Sequence, residues 1–237
     1  MRGVQLAGQG DSPPAGWVVR LLLSRKWKNM EMNNLFGHKS AFFAASGPIE
    51  FLVAGLGNPG KEYENTRHNA GFMAVDYMAK EWNFSVDRLK FKALCGDCMV
   101  AGKRVLFLKP STFMNLSGQS DTEAAAFYKI PWERVIILSD EISLNPGKLR
   151  IRRKGSDGGH NGLKNIIYLS GSDNFPRIRI GVGQKPNPEY DLAAWVLSRF
   201  TEEDLKALSG VFPKAAQAVE YIVQGKIDQA MNQFNER

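Results

Sequence analysis

The strongest constraint on the fold is a short apolar run that breaks into a glycine-rich loop and is followed by a helical pattern. Residues 51–54 are uniformly apolar, as in a strand that is buried on both faces. The loop follows at residues 55–60, and apolar side chains recur at helical spacing over residues 70–82. His68 therefore lies just before a helix at the rim of a predicted sheet, where ligands usually bind in open α/β folds.

The loop glycines Gly55, Gly57 and Gly60 also fit the G-x-G-x-x-G fingerprint of dinucleotide-binding proteins. That fingerprint requires the helix to begin at the last glycine, so that its N-terminus faces the pyrophosphate. Here residues 61–65 have no apolar face, and the helical pattern begins about ten residues after Gly60. A nucleotide-binding oxidoreductase is therefore the weaker alternative, and we expect no nucleotide cofactor.

The composition is that of an ordinary globular protein with one core. The chain has 237 residues, of which 43% are hydrophobic and 23% are charged. No apolar run approaches the roughly 20 residues that span a bilayer, so we expect no association with a membrane.

Residues 1–47 differ in charge from the rest of the chain and form a predicted leader. They hold six Lys or Arg but only Asp11 and Glu31 as acidic residues, and the net charge of the whole chain is +7. An acid-poor leader that contains arginine is typical of a transit peptide, which predicts a mitochondrial or plastid location. The alternative is a disordered extension, with Met30 or Met32 as the start of a cytoplasmic protein. Residues 48–237 are expected to form the folded domain.

Cys95 and Cys98 form a C-x-x-C pair within a predicted strand. Residues three apart in a strand point to opposite faces, whereas a redox pair lies at a helix N-terminus. No further Cys or His follows at the spacing of zinc ligands. We therefore expect a structural pair in a reducing compartment, and no metal site.

Strands and helices alternate along the rest of the chain. Strands are predicted at residues 91–100, 104–109, 135–138, 148–152 and 177–182, and helices at residues 115–129, 163–169, 202–223 and 227–234. Strands separated by helices imply a sheet that is covered on both faces. The predicted fold class is α/β, a single-domain α/β/α sandwich around a twisted mixed, largely parallel sheet.

Five polar residues fall at the ends of these strands or at the starts of the following helices. They are Asn58, His68, Asn115, Asp140 and Asn161. Singly they have structural explanations, since Asn is a common helix cap and a histidine is often structural. Parallel connections, however, bring successive strand ends to one edge of a sheet. A histidine oriented by a carboxylate is a general base for water, and amides can hold a carbonyl, so the set predicts hydrolysis of an ester or amide.

Five motifs give the chain its resemblance to a known family. They are GLGNPGKEYENTRHNAGF, KPSTFMNLSG, the pair Asp140-Glu141 after an apolar strand, PGKLRIRRKGSDGGHNGLK and FPRIRIGVG. In this order and spacing they resemble bacterial-type peptidyl-tRNA hydrolase over about residues 49–235.

The resemblance implies cleavage of the ester between a peptide and the 3′ ribose of tRNA, which recycles tRNA from aborted translation. By matching motif, His68 resembles the proton acceptor and Asp140 the carboxylate that stabilises it. Asn58 resembles the residue that helps to distinguish blocked from free aminoacyl-tRNA. The remaining matches imply contacts to the peptide and the 3′ end of tRNA, at Tyr63, Phe113, Asn115, Asn161 and His160. A monomer without metal or cofactor is expected.

Basic residues near these motifs predict contacts to tRNA phosphates. Strand alternation puts Lys148, Arg150 and Arg152 on one face, and Lys164 and Arg179 lie close to the site residues in sequence. The structural alternative is a solvated charged strand. The departures from the family pattern are Ser143, Asn145 and Asp157.

A second functional class is also consistent with the motifs. The family resembles a plant organelle intron-splicing factor built on the same fold, so a non-catalytic RNA-binding protein is the alternative. The intact set of His68, Asp140 and Asn58 favours the enzyme.

Overall fold

The apolar runs of the sequence form a seven-stranded sheet, and the segments with helical spacing surround it. The computed structural model describes residues 47–235, so the predicted leader lies outside the described residues except for Gly47. The strands are β1 (Phe51–Gly55), β2 (Arg88–Lys90), β3 (Ala93–Val100), β4 (Lys103–Pro110), β5 (Val135–Glu141), β6 (Leu149–Arg152) and β7 (Arg177–Gly181). The α-helices of the described part are α1 (Ala70–Glu81), α2 (Ser117–Tyr128), α3 (Asn161–Ser170), α4 (Leu192–Val196), α5 (Glu202–Val223) and α6 (Ile227–Phe234). Each of these helices is too short or too polar to cross a membrane.

The sheet has parallel strands at its centre and antiparallel strands at both edges. Its order is β2-β3-β4-β1-β5-β7-β6. The strands β4, β1, β5 and β7 run parallel to one another, whereas β2, β3 and β6 are each antiparallel to their neighbours. This arrangement confirms the predicted mixed, largely parallel sheet. It also brings the carboxyl ends of four strands to one edge.

Helices cover both faces of the sheet. Alternate residues of β1 enter two separate apolar clusters, with Phe51 and Val53 in one and Leu52 and Ala54 in the other. α1, α5 and α6 pack on the first face, and α2 and α3 pack on the second. The result is the expected three-layer α/β/α sandwich.

Two glycines of the first motif allow α1 to lie directly against the sheet. A Cβ atom on Gly55 would overlap the backbone carbonyl of Gly71, and one on Gly71 would overlap that of Leu138. The chain between the loop and α1 forms 3₁₀ turns at Lys61–Tyr63 and Arg67–Asn69, so the helix begins ten residues after Gly60. Gly55 thus serves strand–helix packing, and the dinucleotide fingerprint lacks the helix that it requires.

The hairpin that joins β2 to β3 differs from the single strand predicted at residues 91–100. Phe91 and Lys92 form its two-residue turn at φ values of 54° and 52°. Bulky residues rarely adopt this conformation, and the sequence therefore carries no turn signal there. The carbonyl of Lys92 holds the turn by accepting hydrogen bonds from the Ser111 amide at 2.8 Å and the Ser120 hydroxyl at 2.9 Å.

The two cysteines lie on opposite faces of β3, as the strand pattern predicts. Cys95 is buried in the cluster under α2 and α3, and Cys98 packs against the other cluster. Burial raises the pKa of the Cys95 thiol to about 11 and that of Cys98 to about 12. Neither thiol is ionised at neutral pH, which agrees with a structural pair.

Candidate active site

His68 is held at the edge of the sheet by the arginine that precedes it. Arg67 lies in the 3₁₀ turn before α1 and is 5% exposed. Its guanidinium donates to the Val182 carbonyl at 2.7 Å, to the Asp204 carboxylate at 2.8 Å and to the Ser198 hydroxyl at 3.3 Å. Because these contacts fix the turn to the segments beyond β7, the His68 imidazole projects from a rigid element.

Asp140 at the end of β5 binds two histidines through a single oxygen. Its Oδ1 atom lies 2.8 Å from His68 Nδ1 and 2.9 Å from His160 Nε2. The exposed fraction of the Asp140 side chain is 3%, and those of His68 and His160 are 12% and 9%. The carboxylate therefore lies behind the two rings, which separate it from water.

The hydrogen bonds assign different tautomers to the two rings. His160 is the N-cap of α3, and its Nδ1 accepts a hydrogen bond from the Leu163 amide at 3.3 Å. Its proton is therefore on Nε2, which donates to Asp140. Asp140 is a carboxylate that can only accept, so the proton of His68 is on Nδ1 and its Nε2 carries a lone pair. No group of residues 47–235 forms a hydrogen bond to Nε2 of His68, whereas both nitrogens of His160 are engaged. Of the two histidines, His68 is therefore the one that can accept a proton as a general base.

The ionisation of the pair suits a general base whose protonated form is stabilised by a carboxylate. Burial alone would raise the pKa of the Asp140 carboxyl, but the two histidines hold it well below its usual range. Burial alone would lower the pKa of His68, but the charge of Asp140 and its hydrogen bond raise it above 6.5. Asp140 is thus a carboxylate at all physiological pH values, and it stabilises the imidazolium of His68.

Asn58 is fixed by hydrogen bonds on three of its groups. Its backbone amide donates to Asn69 Oδ1 at 2.8 Å, and its carbonyl accepts from Asn69 Nδ2 at 3.0 Å. Its side-chain Oδ1 accepts from the Met114 amide at 2.8 Å. This last contact orients the side-chain amide and leaves its Nδ2 group as the donor that can meet a ligand.

Asn115 and Asn161 do not cap helices, in contrast to the structural explanation offered by the sequence. No side chain caps α2, and the cap of α3 is His160 rather than Asn161. Both asparagines line the same pocket as Asn58, His68 and Asp140. Their amides are therefore available to a ligand rather than used to complete a helix.

The pocket encloses about 560 Å³, and its lining includes both polar and apolar residues. Predicted site residues that line it are Asn58, His68, Phe113, Asn115, Asp140, His160, Asn161 and Arg179. Apolar residues form much of the remaining wall, chiefly Ile142 and the α4 region at Leu192, Ala193, Val196 and Leu197. The lining thus combines polar groups of the strand ends with apolar side chains, as in sites that orient a ligand by a few hydrogen bonds.

Four predicted contact residues lie outside the pocket lining. The Tyr63 ring packs edge-to-face on Phe113 at a centroid distance of 6.3 Å, so it supports the pocket rim. Lys164 is exposed in the first turn of α3. Arg150 and Arg152 lie on β6, half-buried and exposed respectively.

The β6 arginines share one face of the sheet with two arginines of β7. Arg150 pairs across the strands with Arg179, and Arg152 pairs with Arg177. Arg177 is fully buried and donates to backbone carbonyls of the glycine-rich loop and to that of Asp173, which makes it structural. Arg179 lines the pocket, where its guanidinium donates to Glu141 at 2.8 Å. Within residues 47–235, no hydrogen bond or ion pair engages the Arg150 or Arg152 side chain.

Three described residues have donor atoms close enough to one another to bind a metal ion, namely His68, Asp140 and His160. These atoms lie within 4.8 Å of one another. The two nitrogens, however, face one carboxylate oxygen at hydrogen-bonding distance, and each carries a proton in that direction. Hydrogen bonds account for the arrangement without a metal.

Several residues of the site carry no signal in the sequence. Asn69 holds both backbone groups of Asn58, and Met114 acts through its backbone amide. The five-residue helix α4 is too short for a periodic pattern, although Asp191 before it is a cap signal that could have located it.

Comparisons of this chain with a family model, with related proteins and with solved structures all point to one family. Residues 52–237 match the family model described as peptidyl-tRNA hydrolase. A peptidyl-tRNA hydrolase of Caldanaerobacter subterraneus subsp. tengcongensis is 52% identical over 185 residues, which are 78% of this chain and 99% of the relative. One of Clostridium novyi is also 52% identical over 185 residues, covering 78% of this chain and 97% of the relative.

Among solved structures, the crystal structure of peptidyl-tRNA hydrolase from Acinetobacter baumannii is similar to this chain with a TM-score of 0.74. The two chains are 38% identical, and the match covers 81% of this chain and 97% of that one. The family match includes every residue of the pocket described above. The chain therefore belongs to the peptidyl-tRNA hydrolase family.

Proposed function

We propose that this protein hydrolyses the ester between a peptide and the 3′ ribose of tRNA, with His68 as the general base that activates water. The observation that supports this proposal most directly is the 2.8 Å hydrogen bond from His68 Nδ1 to Asp140, which leaves Nε2 as a proton acceptor in the pocket. The family to which the chain belongs supports the same reaction. The products are a free peptide and a tRNA that can be charged again.

The chemistry follows from the tautomer of His68. Its Nε2 atom removes a proton from water while the water oxygen attacks the ester carbonyl, and the carbonyl oxygen becomes an oxyanion. Asp140 stabilises the imidazolium that forms. Burial lowers the pKa of His68, but the charge and hydrogen bond of Asp140 outweigh it, so the pKa is raised. The imidazolium then returns the proton to the ribose oxygen as the ester bond breaks.

The asparagine amides are suited to the polar groups of the substrate. The Oδ1 atom of Asn58 is bound to the Met114 amide, so Nδ2 is the donor for a carbonyl or oxyanion. A blocked substrate has an additional carbonyl that a free aminoacyl ester lacks, and we assign its recognition to Asn58. Asn115 and Asn161 supply further amides on the pocket wall.

We assign the binding of the tRNA end to the pocket rim at Tyr63 and Phe113 and to the β6 arginines. Phe113 is 55% exposed and packs on Tyr63, so it offers an aromatic surface for the 3′ end. We assign contacts to phosphates to Arg150 and Arg152 on β6 and to Lys164 on α3. Such contacts position RNA without reading its sequence, as an enzyme for many tRNAs requires.

Further proposals concern the oligomeric state and the location of the protein. We propose action as a monomer without a cofactor, because general-base hydrolysis needs only water and the groups that would activate it, His68 and Asp140, belong to one pocket. The named relatives are bacterial enzymes, which is consistent with the cytoplasmic alternative. Import into an organelle stays a prediction from the leader, and the relatives give no support to the splicing role.

The test is hydrolysis of an N-acetylated aminoacyl-tRNA and of its unblocked counterpart, each in the presence of a chelator. We expect release of the blocked acyl group and persistence of the unblocked ester. Equal cleavage of both would contradict the assignment of specificity. A protein that binds tRNA but leaves the blocked ester intact would favour the RNA-binding alternative.

A further inference from the structure

We infer that His160 is a positioning residue that acts through Asp140, rather than a contact to substrate. The inference rests on the proposed function of His68. It replaces the substrate contact that the sequence motif implied for His160, and it begins from the single carboxylate oxygen that both rings share.

Both nitrogens of His160 are already engaged within the protein. Nε2 donates to Asp140 Oδ1 at 2.9 Å, and Nδ1 accepts from the Leu163 amide at 3.3 Å. The side chain is 9% exposed, although the residue lines the pocket. No polar atom of the ring is left for substrate, so an effect of His160 on the reaction must pass through its partners.

The shared oxygen makes the two histidines compete for the charge of Asp140. A proton donated by His160 offsets part of the negative charge that His68 experiences. Without that donor, the carboxylate would stabilise the His68 imidazolium more strongly and keep more of the base protonated at neutral pH. His160 therefore fixes Asp140 in place and limits the basicity of His68.

Other charged groups near the cluster are paired with protein partners. Glu141 on β5 binds Arg179 on β7, and Arg67 beside His68 binds Asp204. Asp157 in the loop before α3 accepts from the Gly159 amide. The α4 wall is apolar, at Leu192, Ala193, Val196 and Leu197, and the pocket lining from the 3₁₀ turn at Met114–Leu116 has no titratable group. Among the titratable groups of residues 47–235, Asp140 and His160 are thus the ones in contact with the His68 ring.

Two substitutions separate the roles of the two ring nitrogens. Asparagine places an acceptor where Nδ1 lies and nothing where Nε2 lies, so His160→Asn keeps the helix cap and removes the donor to Asp140. Glutamine reaches the position of Nε2 but not that of Nδ1, so His160→Gln keeps the donor and removes the cap. The two variants are matched controls for each other.

The measurements are the NMR titration of the His68 imidazole and the pH dependence of kcat/KM on an N-acetylated aminoacyl-tRNA. In His160→Asn we expect the His68 midpoint and the acid limb of kcat/KM to move together to higher pH, by roughly half to one pH unit. In His160→Gln both should stay at the parent values, while the thermal midpoint falls. A merely structural role would lower activity by the same factor at every pH and leave the titration unchanged.

The two readouts separate this inference from the proposed function. If His160→Asn titrates like the parent, or if His160→Gln shifts as far as His160→Asn, the positioning role is contradicted. If the acid limb of kcat/KM fails to follow the His68 titration in the parent, the general-base assignment is wrong. The titration still tests the coupling of the rings in that case.

Discussion

Asp121 is a buried carboxyl group outside the active site. It lies on the core face of α2, fully buried, and within residues 47–235 neither of its carboxyl oxygens has a hydrogen-bond partner. Burial raises its pKa to about 8. Because an unfolded Asp titrates near pH 4, the folded protein holds a proton between about pH 4 and pH 8 that the unfolded chain has lost. The contribution to stability is therefore full below about pH 4 and declines until about pH 8.

Asp121→Asn removes this titration with little change in shape. We expect the free energy of unfolding of the variant to exceed that of the parent by a margin that grows with pH, by about 1.4 kcal/mol per pH unit between about pH 5 and pH 7. Urea denaturation at several pH values measures this margin. Parallel curves for the two proteins would show that Asp121 is ionised in the folded state.

Asn58 allows the donor and acceptor of one amide to be tested separately. Asn58→Asp keeps the oxygen that accepts from the Met114 amide but replaces the Nδ2 donor by an oxygen. We expect kcat/KM on a blocked aminoacyl-tRNA to fall by roughly 10- to 10²-fold, because the additional carbonyl of the blocked substrate loses its donor and meets a carboxylate oxygen instead. The thermal midpoint should stay near that of the parent. A variant with the parent kcat/KM would place the donor elsewhere.

At the scale of elements, β6 is the strand on which the RNA proposal rests. Leu149 and Ile151 face the core, so the alternation of the strand turns Arg150 and Arg152 to the opposite face. That face continues to Arg179 in the pocket wall. The edge strand therefore links the catalytic pocket to a surface suited to phosphates.

Removing the two β6 arginines should weaken tRNA binding and make it less dependent on salt concentration. For Arg150→Ala with Arg152→Ala, we expect the slope of log affinity against log salt to fall by about one unit for each lost phosphate contact. Arg88→Ala on β2, at the other edge of the sheet, is the control. Filter binding at several salt concentrations gives the slopes. Equal slopes for parent and double variant would place the RNA on another face.

Sequence patterns predicted the bounds of those helices whose positions follow from local periodicity. The long helix α5 occupies the predicted residues 202–223, and α6 the predicted residues 227–234. The β2–β3 turn was missed because Phe91 and Lys92 adopt a conformation held by tertiary contacts rather than by turn residues. α4 was missed because five residues do not show a helical period.

At the scale of the whole molecule, the parallel centre of the sheet assembles the pocket. Asn58 after β1, Asp140 at the end of β5 and the residues before α2 and α3 come from distant parts of the sequence. Motif order and strand ends predicted that these residues would meet. The two hydrogen bonds that converge on Asp140, and the use of His160 as the α3 cap, depend on distances that no local pattern contains.

The central claim is that His68 takes the proton from water, and one variant tests it directly. His68→Ala should lower the single-turnover rate on an N-acetylated aminoacyl-tRNA by roughly 10²- to 10⁴-fold, the usual contribution of a general base. Affinity for the tRNA should stay close to that of the parent, because the phosphate contacts are assigned to β6 and α3. Release of the acyl group at the parent rate would contradict the account.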